Sequence, residues 1–324
     1  MTTKQLETDA SPAAAIGTAA LAIVTAAVSL TIGPTDDYAR IFPPRWLTFI
    51  AATLLVVALL AERSAAPPRR RRGGGVLGWA AAVFFFGASG GVILDGFRAF
   101  FRATGIPAGE FATVDWPGAL ARAASLFAAL ATVLWTSRLR ARKERTPEGT
   151  RPATSTFMRT ALAWSAVAFT VPYPLLKLVW WAQDASGRAA ADRAGFPVME
   201  LLAFGAALLL VLLLTSSLPL PLPAWLLITG GWIASMALLS MGFLMVFGLL
   251  AQATGVAAGS VSFTSGGATL LVSCVYATWL LLGLVTLVAT LAFVDDRRSR
   301  RAQLVERADA IRAGAPPTER TAAE

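Results

Sequence analysis

Four charged side chains stand in or at the edge of apolar stretches of the chain, and their types and spacing give them the most scope for chemistry. Asp95 ends one apolar run, Arg122 interrupts the next, Lys177 lies inside a third and Glu200 opens a fourth. An α-helix rises about 1.5 Å per residue, which puts Arg122 and Lys177 each roughly 9 Å, and Glu200 roughly 6 Å, from the outer ends of their runs. The apolar half-thickness of a bilayer is about 15 Å, so all four charges fall in its outer part. Charges in a membrane are expensive and as a rule face the bundle interior, where they pair. Two cations and two carboxylates allow three readings. Lys177–Glu200 and Arg122–Asp95 can tie helices together, or the two long cations can snorkel outward. The same groups can instead form a site, open to the outside, for a small molecule, an ion or a lipid. Finally, Glu200 or Asp95 can act as a general base, but neither has a recognisable nucleophile or metal partner. No catalytic residue and no metal ligand is therefore assigned, and an enzyme ranks below both other readings.

The run Val171-Pro-Tyr-Pro-Leu-Leu-Lys177-Leu-Val-Trp180-Trp181-Ala-Gln-Asp184 frames the lysine. Pro172 and Pro174 each remove a helical hydrogen bond and free a carbonyl. Membranes tolerate such breaks where a cavity or a neighbouring helix satisfies the freed groups. Tyr173 stands between the two prolines, and it completes a candidate ligand set of Lys177, Glu200, Arg122, Asp95 and Tyr173. Trp116, Trp180 and Trp181 read as an aromatic belt at the membrane boundary. The run resembles a Tyr-x-x-Leu-Lys-x-x-Trp pattern in uncharacterised polytopic membrane proteins of high-GC Gram-positive bacteria, with Tyr173, Leu176, Lys177 and Trp180 at the matching positions. That resemblance implies a membrane location and carries no activity with it.

The elements that must position these residues are long apolar helices. Hydrophobic residues make up 56% of the 324 and charged residues 15%, with a mean hydropathy of +0.63. Soluble domains carry about 25% charge. Eight runs are long enough to read as spans, at about 13–33, 46–61, 74–94, 116–136, 160–182, 196–214, 224–251 and 267–294. The fold expected is an all-α, polytopic transmembrane bundle. There is no histidine, which excludes imidazole haem ligation, His-based zinc sites and Ser-His-Asp triads. The single Cys274 can form neither an internal disulfide nor a cysteine cluster. No cofactor is implied.

The net charge of +9 does not signal nucleic acid, because the basic residues lie in the loops between apolar runs. With both termini in the cytoplasm, inside segments hold twenty of the 28 Lys and Arg and outside loops six. The Arg69–Arg72 block and the Arg138–Arg159 loop set this bias, and it orients the chain in a bacterial inner membrane. The bilayer is then its first partner. Residues 1–12 form a polar tail, 13–145 and 146–294 two four-span halves, and 295–324 a basic cytoplasmic tail. Leu304, Ala308 and Ile311 recur there at helical spacing, as in an interfacial helix or an extension of the last span. Ala103-Thr-Gly-Ile-Pro-Ala-Gly109 matches Ala253-Thr-Gly-Val-Ala-Ala-Gly259 at five of seven positions, and Gly78-Trp79 has a counterpart in Gly231-Trp232. The halves are thus candidates for parallel repeats about an axis along the membrane normal.

Overall fold

The computed structural model describes residues 12–33, 42–63, 68–105, 109–143, 154–184, 196–216, 222–254 and 266–312. They are helical throughout, with no strand among the described residues. The order is α1 (Pro12–Ile32), α2 (Leu47–Arg63), α3 (Pro68–Ala88), α4 (Val92–Thr104), a short 3-10 turn (Gly109–Ala112), α5 (Trp116–Lys143), α6 (Thr156–Thr170), α7 (Pro172–Asp184), α8 (Val198–Thr215), α9 (Ala224–Ala253) and α10 (Gly266–Arg312). Seven helical stretches are long and apolar enough to cross a membrane. These are Pro12–Ile32, Gly74–Thr104, Trp116–Leu139, Thr156–Gln183, Val198–Thr215, Ala224–Ala253 and Ser273–Val305. Such a set is the pattern of a multi-pass membrane protein. The remaining expected span, α2, has 17 residues, the short end of the range that crosses a bilayer.

Two breaks matter for the site. Ser89-Gly90-Gly91 separates α3 from α4, and Gly91 adopts φ +92°, which L side chains rarely do. A Cβ on Gly91 would run into the Phe42 ring, and one on Gly90 would meet Pro43 Cγ at 2.6 Å. Only glycine lets the chain turn here. The stretch after Leu94, expected to be an outer loop, is therefore helical again as α4. That helix buries Asp95 and Arg98 and exposes Phe97 and Phe100. The second break, between α6 and α7, is slight. Val171 keeps helical angles, and its N–H still donates to Val167 at 3.3 Å. Pro172 and Pro174 fall in the first turn of α7, where helical N–H groups lack partners in any case.

Small residues set the packing. Gly74 approaches Ala58 and Glu62 while Gly90 approaches Pro43, so α2 and α3 run antiparallel. Gly231 meets Thr290, and Gly242 sits 2.6 Å (from its notional Cβ) off the Leu280 backbone, so α9 and α10 do likewise. Ala15, Ala19, Ala22, Ala51, Ala81, Ala128 and Phe85 belong to one buried cluster, built mostly from α1, α2, α3 and α5. Leu162, Ala166, Tyr173, Phe204, Val211 and Leu282 belong to a second, built from α6 to α10. In the absence of a hydrophobic drive between helices in lipid, close small-residue contact supplies the dispersion energy. α10 continues unbroken to Arg312, so Leu304 and Ala308 extend the last helix rather than starting a separate one. Residues 1–11, the parts 106–108 and 255–259 of the two similar heptapeptides, and the tail from 313 lie outside the described residues.

Candidate functional site

The four charges expected to converge form two separate pairs. The first is sealed. Arg122 Nε donates to Asp95 Oδ2 at 2.5 Å and Nη2 to Asp95 Oδ1 at 2.9 Å, a bidentate, charge-assisted pairing. Asp115 Oδ2 lies 3.6 Å from Arg122 Nη2 and accepts from Arg45 Nη2 at 2.7 Å. Arg45 Nη1 in turn donates to the Ser29 carbonyl at the end of α1. The Phe42 ring lies 4.2 Å from the Arg122 guanidinium carbon, close enough for a cation–π contact. Asp95, Arg98, Asp115 and Arg122 are each at most 3% exposed. One turn further along α5, Ser125 bonds Thr48 of α2 at 3.1 Å. From α9, Ser240 donates to the Ser89 carbonyl at the α3–α4 break, at 2.8 Å. Ions out of water are tolerated only when neighbours saturate them. Arg122 and Asp95 meet that condition.

Arg45, Arg98 and Asp115 were legible only as loop charges. Asp115 did carry a signal: Asp-Trp-Pro-Gly is a helix start, with an N-cap acid followed closely by proline. Its Oδ1 accepts from Gly118 N at 3.3 Å. Arg98 follows Asp95 by three residues, which places both on one face of α4.

The second pair is open. Lys177 Nζ lies 3.8 Å from Glu200 Oε1, beyond hydrogen-bond reach, and their side chains are 29% and 31% exposed. Tyr173, Lys177 and Trp180 recur at helical spacing on α7. The ammonium stands 5.7 Å from the Tyr173 ring centre and 5.6 Å from that of Trp180. Tyr173 stacks on Phe204 at 5.1 Å and takes the edge of Trp279 at 4.8 Å, with Tyr276 at 5.6 Å. Aromatic side chains from α7, α8 and α10 thus wall one side of the lysine. Trp180 belongs to this wall rather than to a boundary belt alone; Trp181 instead packs edge-on against Phe196 at 5.1 Å. Two polar atoms, the Thr170 hydroxyl at the end of α6 and the Trp279 indole nitrogen on α10, are buried without a hydrogen-bond partner.

The two pairs share no described contact. α4 and α5 pack mainly on α1, α3 and α9, whereas α7 and α8 pack mainly on α6, α9 and α10. At the other end of the helices, Asp296 accepts from the Thr154 amide and hydroxyl, both at 2.9 Å, and from Arg159 Nη2 at 2.6 Å. This triad clamps the start of α6 to α10. No group of three or more Asp, Glu or Cys able to hold a metal occurs among the described residues. Comparison with protein-family models, curated proteins and solved structures finds no match to the chain.

Proposed function

We propose that the chain is an eight-span protein of a bacterial inner membrane, with both termini cytoplasmic, that binds a small molecule, ion or lipid at an outward-facing site. Lys177, Glu200 and Tyr173 form that site. Arg122 and Asp95 serve instead as a structural tie between α4 and α5. The observation that carries this reading is the contrast between the two pairs: one is bidentate and sealed, the other stands 3.8 Å apart and about a third exposed. A charge pair needed only to hold helices has no reason to stay open to the surface, where exposed pairs contribute little.

The orientation rests on the Lys and Arg bias, and the eighth span is α2. A parallel four-plus-four plan is part of the proposal, and two parallels support it. In each half the first long helix packs on the second and the fourth, and the third on the second and the fourth. Within that frame Gly78 of α3 faces Thr136 of α5 as Gly231 of α9 faces Thr290 of α10. Thr132–Thr136 and Thr286–Thr290 are all buried and repeat the same four-residue step.

Native mass spectrometry of the gently purified protein tests the binding reading. Wild type should carry a retained small-molecule or lipid mass that Lys177→Gln and Glu200→Gln lose. Equal occupancy in all three, or none in wild type with no stabilising compound in a broad screen, would return the second pair to a scaffold role.

A further inference from the structure

We infer that the seam between α7 and α8 takes a zwitterionic head, an anion and an ammonium joined in one molecule, carried on an apolar tail. This names the ligand class of the site proposed above and rests on that reading.

Charge comes first. With Arg122 sealed elsewhere, the seam presents one cation and one carboxylate among the described residues, Lys177 and Glu200. A lone anion drawn to Lys177 is repelled by Glu200, and a lone cation meets the reverse. A ligand with both signs engages both partners and is repelled by neither. No hydrogen bond joins the pair, so the ammonium has donors and the carboxylate lone pairs to offer a ligand lying across both.

Geometry sets which charge goes where. The Lys177 ammonium is already held over two rings, Tyr173 and Trp180, which fixes it as the seat for the anion. Glu200, across the seam on α8, then receives the ammonium. Two turns before Lys177, roughly 10 Å along the helix, the Thr170 side chain is 6% exposed and its hydroxyl has no partner. The Trp279 indole N–H, on the ring that meets Tyr173 edge-on, also has none. Both donors are sealed away from the ammonium, so the anion is seated by Lys177 itself, whose charge suits an oxygen-rich group such as a phosphate.

The surroundings point to an amphiphile. Leu175 and Val179 on the far face of α7, and Met199 and Leu202 on α8, are large, apolar and exposed, so both helices carry lipid-compatible surface at the level of the pair. Acyl chains lying on these residues would bring a headgroup to the depth of Lys177. A free zwitterion offers the same charges without that apolar contact.

The test uses purified full-length protein in detergent with three additives: phosphatidylethanolamine, phosphatidylglycerol and free phosphoethanolamine. Phosphatidylethanolamine should raise Tm by a few degrees through mass action. It should bind about tenfold more tightly than phosphatidylglycerol, the effect of one lost charge partner. Lys177→Gln and Glu200→Gln should each erase the preference. Competition of the two lipids on wild type, read by native mass spectrometry, gives the same ratio without any variant and so does not depend on the substitutions folding. Equal binding of both lipids, lost only in Lys177→Gln, would overturn the zwitterion while leaving a binding site in place. No retained lipid or additive of any kind would overturn both readings. Stabilisation by free phosphoethanolamine as strong as by the lipid would keep the charge pattern and overturn the apolar tail.

Discussion

Arg122 grips Asp95 through two nitrogens, Nε at 2.5 Å and Nη2 at 2.9 Å, across 27 residues of chain. The pair joins the first turn of α4 to α5, and Asp115 and Phe42 close it from the other sides. Because the guanidinium is planar and forked, it satisfies a carboxylate that a lysine would only approach as a point charge.

Replacing Arg122 by methionine should therefore be severe. It leaves Asp95 buried, and Asp115 short of one partner, at a cost of about 3–5 kcal/mol. Arg122→Lys should recover only part of the loss, since the fork is gone. Thermal unfolding in detergent measures both; a Tm within a degree of wild type for Arg122→Met would refute the structural role.

The α9–α10 contact makes a sharper packing prediction. A Cβ at Gly242 would meet Leu280 Cα and N at 2.6 Å, backbone atoms that cannot swing aside. Gly242→Ala should force the helices apart at about 1–3 kcal/mol. Gly205→Ala, with nothing within 4 Å of its added methyl, should be neutral or slightly stabilising. Comparable losses at the two positions would mean that close helix approach is not what Gly242 provides.

Much of the architecture was legible because lipid demands it: seven of the long apolar runs stand as span-length helices, and Lys177 faces Glu200 as their depths suggested. Arg122 and Asp95 were likewise read as partners from depth alone. The convergence of all four charges was not legible correctly, since depth fixes height along the bundle and says nothing of which helices are neighbours. Arg45, Arg98 and Asp115 were missed for a related reason. They lie beyond the apolar runs, and only the turn at Gly91 and the N-cap at Asp115 fold them back into the protein. The aromatic wall escaped notice because Phe204, Tyr276 and Trp279 are ordinary apolar residues in apolar runs. Their meeting with Tyr173 depends on the packing of α7, α8 and α10.

Orientation yields to reporter fusions. Those after Arg72, Arg145 and Arg301 should report cytoplasm, and those near Gly105 and Arg188 the outside. The informative pair brackets α2, whose 17 residues make it the marginal span. A fusion in the Pro34–Arg45 stretch should report outside and one after Arg72 inside. The same signal from both would remove α2 from the spans and leave seven.

The Lys177–Glu200 pair gives the last prediction, and its sign separates a site from a tie. Both side chains are about a third exposed, they stand 3.8 Å apart, and no hydrogen bond joins them. Exposed pairs of this kind contribute about 0–1 kcal/mol, far less than the buried Arg122 pair. Lys177→Met and Glu200→Gln should each lower the stability of ligand-free protein only slightly. The double change should sit close to the sum, with a coupling energy under about 1 kcal/mol, because sites that barely interact add. If the pair instead held the bundle, either single change would strand a charge, at about 3–5 kcal/mol, and the double change would recover much of the loss. Unfolding of the four proteins after delipidation measures the coupling directly. A large coupling in the absence of any ligand would assign the pair to the scaffold and take the binding site with it.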